Sequence, residues 1–394
     1  VSFNIQASWT FTGDRIEPDA TIAVDDQGTT TVIPAQGAVA SVETVHSYPG
    51  CTALPGLIDM HTHVAPGNRA RPGARDPRTV AYQTLQGVPS LASAIRAGIT
   101  TIRDAGAGGE QIFALREMVE RGVILGPRIR AAGEAIAITG GHGWMDLSLE
   151  ADGPEGVTLA VRQQIKNGAD CIKLMITGGA GTDGEDVTET QMSSAEIAAA
   201  VEVAHAKGKH VFAHVTNSQG ALRAIECGVD CIEHGIDLDD EIISAMVERR
   251  LFFCPTLQPY RRMVRLGAAG GYPAYMLEKA QRVIEPHTRT LQKAIAAGVR
   301  IICGTDSSAN FRLLGEIAAE LADYVEEGLS PLLALESATS AAAECLREPK
   351  LGRLGDGCLA DVTVVRGNPA QDIAALGDVV AVYKQGRPVH GGAL

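Results

Sequence analysis

Along the middle of the chain, short apolar runs alternate with longer stretches whose apolar positions recur every three or four residues. The runs Leu57–His63, Gly98–Asp104, Arg128–Ala132, Cys171–Ile176, His210–His214, Cys231–His234, Leu251–Pro255 and Arg300–Gly304 read as buried strands. The stretches Pro89–Ala97, Leu159–Asn167, Ser194–Lys207, Gln219–Cys227, Asp240–Arg249 and Tyr275–Ala297 read as helices. Many of these helices close on a Gly after a basic or small residue, as in Arg96-Ala-Gly98 and Cys227-Gly228, and an apolar strand follows. Repeated strand–helix units of this kind predict an α/β fold, a (β/α)8 TIM barrel.

Both ends of the chain carry a different pattern. Ser2–Ala7, Thr21–Val24, Thr29–Ile33 and Val42–Tyr48 read as short strands, split by the turn clusters Asp25-Asp-Gln-Gly28 and Pro34-Ala-Gln-Gly37. Asp361–Arg366, Val379–Lys384 and Arg387–His390 repeat the pattern at the far end. Neither end is thick enough to bury a core alone. Together they predict one discontinuous β-sandwich, residues 1–54 plus 355–394, bracketing a barrel over 55–354.

Composition narrows the class. Hydrophobic residues make up 45% and charged residues 21%, ordinary for a globular domain. The net charge of −13 argues against a nucleic-acid partner, since phosphate binding needs a basic face. No apolar run reaches the roughly 18 residues a membrane span needs, and no basic start with a long apolar run marks a signal peptide. The eight cysteines form no Cys-x-x-Cys pair, and several sit inside apolar runs. Free buried thiols and a cytoplasmic location are the expectation.

The chemistry concentrates at the strand ends, where such barrels keep it. In Leu54-Pro-Gly-Leu-Ile-Asp-Met-His61-Thr-His63 the two histidines are two apart on a strand and so share a face. That is half of a zinc or iron site, or else a hydrogen-bonded pair of core histidines. His214 closes the fifth strand, His234 the sixth and Asp306 the eighth. Four of the ten histidines therefore fall at equivalent positions, which scattered core histidines would not do. Lys173 sits inside the apolar fourth strand, where a lysine is costly unless paired or neutralised. It is read either as one half of a salt bridge across the barrel or as a neutral amine that takes up CO2 and offers the carbamate to metals.

These residues carry a resemblance. Pro-Gly-Leu-Ile-Asp-Met-His-Thr-His, the buried Lys173, the two later histidines and Asp306 resemble the amidohydrolase superfamily of metal-dependent hydrolases. Thr100-Thr-Ile-Arg-Asp104, Thr177-Gly-Gly, Leu354-Gly-Asp-Gly-Cys-Leu-Ala-Asp361 and Gly367-Asn-Pro369 match as well. The pattern is most similar to the imidazolonepropionase-like branch that contains the Xaa-Pro and Xaa-Arg/Lys dipeptidases. The resemblance implies two zinc ions, or other divalent transition metals, with His61, His63 and Asp306 on the more buried one. His214 and His234 would hold the second, and carboxylated Lys173 would bridge both. It further implies attack by a metal-bridging hydroxide, with Asp306 passing a proton to the leaving nitrogen. His142, on the glycine-rich loop Thr139-Gly-Gly-His-Gly-Trp144, is similar to the family histidine that contacts the substrate near its carbonyl.

The expected reaction is hydrolysis of an amide in a small peptide or N-acyl amino acid, by a homo-oligomer that engages neither nucleic acid nor membrane. A cyclic amide, urea or carbamate is the alternative substrate class. A barrel that has lost catalysis and only binds would be expected to lack ligands, and every expected ligand type is present here. The segment after His214, Val-Thr-Asn-Ser-Gln, departs from the dipeptidase pattern of an aromatic or polar pair that holds a substrate carboxylate. Two alternatives remain for that clamp: the loop carrying Arg69, Arg71, Arg75 and Arg78, or Tyr260, Arg261 and Arg262 after strand seven. Trp144 and Phe311 are expected near the mouth, facing an apolar or aromatic group. His205 and His210 flank a turn at the opposite end and read as structural.

Overall fold

The computed structural model describes residues 2–37, 44–66, 77–309 and 313–391. All eight expected strands of the middle region are present. One parallel sheet runs in the order Ser307–Ser308, Leu57–His63, Ile99–Asp104, Arg128–Ala131. The other runs from Ser148–Glu150 and Ala135–Ala137 through Ile172–Met175, Val211–Asn217, Cys231–Asp237 and Phe252–Cys254 to Arg300–Ile301. Backbone hydrogen bonds join the two sheets on both flanks. Met60 N donates to Cys303 O and Asp306 N to His61 O, each at 2.8 Å, and Asp170 N donates to Ala131 O at 2.8 Å. Strand eight is thereby brought back beside strand one.

Every residue of Leu57–His63 is buried, as a parallel strand covered on both faces requires. Helices lie in the connections and end as the sequence predicts, with Gly228 and Gly298 in left-handed conformations at φ 86° and 76°. One helix departs from expectation. The element expected to start at Pro89 runs from Pro77 to Arg96 with that proline inside it. Pro89 is exposed, while Gly87, Ser90, Leu91 and Ala94 are buried on both sides of it. That apolar contact holds the two halves in line despite the hydrogen bond a proline removes.

The chain ends meet in a single nine-stranded sheet, not in two separately bonded sheets of a sandwich. Its centre is the long strand Val45–Pro55, parallel to Phe3–Phe11 and antiparallel to Val362–Arg366. Ile5, Ile22, Ala53, Val362, Val364, Ala381 and Tyr383 are fully buried in its core. Residues 42 and 43 of the fourth expected strand lie outside the described residues. Among the described residues no helix is long and apolar enough to cross a membrane.

Candidate metal centre

The strand ends converge. His61, His63, Lys173, His214, His234 and Asp306 all line one cavity. The Nε2 atoms of His61 and His63 lie 3.7 and 3.3 Å from Oδ1 of Asp306. The rings of His61 and His234 are 4.9 Å apart between centres, and those of His214 and His234 are 4.4 Å apart. His61, His234 and Asp306 each offer a ligand atom within 4.8 Å of the other two. Two of these residues adopt a left-handed conformation, His234 at φ 66° and Asp306 at φ 48°. A non-glycine residue adopts that conformation at a cost of order 1–3 kcal/mol, which the surrounding fold has to offset.

Each histidine has one ring nitrogen tied to the protein and the other turned to the cavity. His63 Nδ1 donates to Gly106 O at 2.9 Å, and His214 Nε2 donates to Gly178 O at 3.1 Å. A backbone carbonyl only accepts, so Nδ1 of His214 presents a lone pair when that ring is neutral, whereas Nε2 of His63 faces Asp306 Oδ1. His234 Nδ1 is bonded to Thr256 Oγ1 at 2.7 Å, and His61 Nδ1 to Glu233 Oε2 at 2.6 Å. Burial, and after it the charge of Lys173, lowers His61 to about 4. Burial and neighbouring rings hold His214 and His234 well below the usual histidine range. Burial also pulls on His63, but the hydrogen bond and charge of Asp306 outweigh it and raise that ring.

Lys173 is 1% exposed, and its Nζ has no hydrogen-bond partner among the described residues. Burial lowers it to about 8. Its Nζ lies 5.2 Å from the centre of the Phe212 ring. An amine kept in that position without a partner costs free energy unless something else completes it. A divalent metal ion bound beside it would complete it, and the imidazoles and Asp306 are donors of the kind such an ion takes. The donor set therefore fits the divalent ions the sequence implies. A second group, His61, Glu233 and Cys254, also has ligand atoms within 4.8 Å of one another. There, however, Glu233 already accepts from Arg103 Nη2 at 2.7 Å and from Cys231 Sγ at 2.9 Å. Its carboxylate is occupied as a support for His61.

The rest of the wall is mostly apolar: Leu147, Met175, Met263, Met276, Tyr260 and Tyr272, with Arg262 and Asp146 among them. His142 lines the cavity, its ring stacked on His214 with centres 4.2 Å apart. Tyr260 also lines it, and burial raises its hydroxyl. Two expected wall residues lie elsewhere. Arg261 points to Asp323, at 3.1 Å, and to Glu326 and Glu327, while its neighbour Arg262 lines the cavity and pairs with Glu316. Consecutive helical residues face about 100° apart, so only one of the two reaches the site. Trp144 is half-buried outside the lining, because Gly143 O accepts from the N–H groups of Asp146, Leu147 and Ser148. That tight winding turns Asp146 and Leu147 inward instead. Phe311 and the arginines 69, 71 and 75 lie outside the described residues.

Sequence reasoning assigned no role to Arg103, Glu233 or Glu185. Arg103 and Glu233 are charged residues inside apolar strands, the same signal that exposed Lys173. Glu185 sits in a polar loop and gives no such signal.

The profile of the Amidohydrolase family matches residues 52–389. The chain is similar to the ochratoxinase of Aspergillus niger, 30% identical over 390 residues that cover 89% of this chain and 78% of that protein. A solved Xaa-Pro dipeptidase with methionine bound in its active site superposes with a TM-score of 0.86 at 30% identity, covering 98% of this chain and 99% of the other. A prolidase complexed with N-methylphosphonate-L-proline gives a TM-score of 0.88 at 29% identity, with the same coverage of 98% and 99%.

Proposed function

This chain belongs to the amidohydrolase family and is a hydrolase acting on carbon–nitrogen bonds; we propose that it cleaves an amide of a small peptide or N-acyl amino acid with two zinc ions. One observation carries the metal reading: four imidazoles, each bonded to the protein at one nitrogen, line one cavity with Asp306 and a buried lysine amine that has no hydrogen-bond partner among the described residues. His61, His63 and Asp306 would hold one ion and His214 and His234 the other. Lys173 would bridge them after its neutral Nζ adds to the carbon of CO2 and loses a proton, leaving a carbamate with two free oxygens.

When bound, two dications would polarise a carbonyl and make water nucleophilic at neutral pH. The chain's own groups do the rest. His142 lines the same cavity as Asp306 and binds the carbonyl oxygen of the substrate. Asp306 Oδ1 accepts the proton released by the attacking water and returns it to the leaving nitrogen. The methionines and tyrosines of the wall suit an apolar side chain, and Arg262 suits a carboxylate. The relatives support this choice of substrate, since one is a dipeptidase and another a prolidase holding a proline derivative.

The test is a panel assay of protein supplied with zinc and bicarbonate. Dipeptides and N-acyl amino acids with an apolar residue next to the free carboxylate are expected to be cleaved. Turnover of cyclic amides, ureas or carbamates with none of the linear amides would move the reading to that second class.

A further inference from the structure

His142 is gripped by a segment that returns from another strand. Its Nδ1 is bonded to Oε1 of Glu185, and its backbone N–H donates to Gln191 Oε1 at 3.0 Å. The amide of the same Gln191 donates to Glu185 Oε2 at 3.0 Å. One glutamine thus ties the peptide of His142 to the carboxylate that holds its ring. Thr182 Oγ1 accepts from the next peptide, Gly143 N–H, at 3.1 Å. All three partners lie in the stretch 177–192, directly after the strand that carries Lys173.

The plain reading of Glu185 is an anchor for that stretch, but the stretch has other anchors. Lys279, on the helix Ala274–Ala297, donates to Gly179 O at 3.2 Å and to Thr182 O at 2.7 Å. Tyr275 donates to Gly181 O at 3.3 Å. A carboxylate with only 5% of its side chain exposed is an expensive way to add one more tether. The ring also packs closely on the loop at Gly179. A Cβ at Gly179 would lie 2.4 Å from Cε1 of His142, so the glycine is what lets the ring lie against this loop.

We propose that Glu185 is a positioning residue for hydrolysis: its carboxylate accepts a hydrogen bond from His142 Nδ1–H, so that Nε2–H of the same ring is the group presented to the substrate carbonyl. An imidazole donating from both nitrogens is a cation. Paired with Glu185 it carries no net charge, so the donor can stand beside two dications without adding to their repulsion. The inference rests on the reading of His142 as the group that binds the carbonyl oxygen.

Two measurements on the metal-loaded protein test it. With a linear amide substrate, Glu185→Gln is expected to lower kcat by about 100-fold, with KM and bound metal little changed. Glu185→Asp should recover part of the loss, and Glu185→Gln in a His142→Gln background should add none. Proton NMR of protein labelled with 15N in the histidine rings needs no substrate. It should show a low-field Nδ1–H signal that disappears in both Glu185→Gln and His142→Gln. An unchanged kcat in Glu185→Gln, metal lost in step with kcat, or a further loss in the double variant overturns the proposal. So does a low-field signal that survives Glu185→Gln. If no amide is cleaved, the hydrolytic reading of the site falls, and the NMR signal still decides whether Glu185 sets the ring.

Discussion

Arg103 Nη2 lies 2.7 Å from Glu233 Oε1, both side chains are fully buried, and the other oxygen of the same carboxylate holds His61. A charge pair thus stands directly behind a proposed metal ligand. Burial pushes the Glu233 carboxyl up, but Arg103, His61 and Lys173 more than offset it and keep the group ionised. Glu233→Gln would leave the guanidinium buried without a counter-charge. The expected loss of stability is about 3–5 kcal/mol, read as a lower urea midpoint. An unchanged midpoint would show that the pair is replaceable.

Lys173→Ala removes an amine that the folded chain buries at a cost. The variant is expected to unfold at the same or a higher temperature than the wild-type chain when both are stripped of metal. Bound metal and turnover should disappear together. Elemental analysis of the purified variant checks this, and a full complement of metal without Lys173 would remove its bridging role.

Asp306→Asn keeps an oxygen within reach of His61 and His63 and removes the charge and the proton-accepting function. Some metal should remain, with turnover reduced by at least about 100-fold. Steady-state kinetics beside metal analysis separates the two effects. Turnover near the wild-type value would eliminate Asp306 as the proton carrier.

Glu320 predicts how stability varies with pH. Its carboxylate is fully buried and accepts the N–H groups of Leu257 and Gln258 at 2.7 and 2.8 Å, at the start of the helix that carries Tyr260 and Arg262. Burial outweighs those bonds and pushes the group up to about 8 from an ordinary 4.5. The folded chain therefore holds this proton more tightly than the unfolded chain. The resulting stabilisation is complete below the unfolded value of 4.5 and is lost as pH climbs toward 8. Unfolding midpoints should fall between pH 5 and 8 by less in Glu320→Gln than in the wild-type chain. Equal slopes would locate the dependence elsewhere.

The proposed ligands were legible because a strand has a period of two and a buried polar residue in it is an anomaly. His61 and His63 stand out by spacing, and Lys173 by its apolar surroundings. Arg103 and Glu233 gave the same anomaly, yet nothing local shows that residues 130 positions apart would pair. The choice of Arg262 over Arg261 depends on the rotation of one helix about its axis, and no periodic signal over nine residues sets that angle. Pro89 misled because its cost is local and the packing that offsets it comes from distant core residues. Glu185 was silent because a loop carboxylate is ordinarily solvated. Only the folded path shows it turned inward onto His142.

The most direct test of the central claim is anomalous diffraction at the zinc edge from crystals grown with zinc and bicarbonate. The account predicts two peaks among His61, His63, His214, His234, Lys173 and Asp306, with density for a carboxyl group continuing beyond Lys173 Nζ. A site with no peak, or a single ion that leaves His214 and His234 unbound and Lys173 a bare amine, would contradict it.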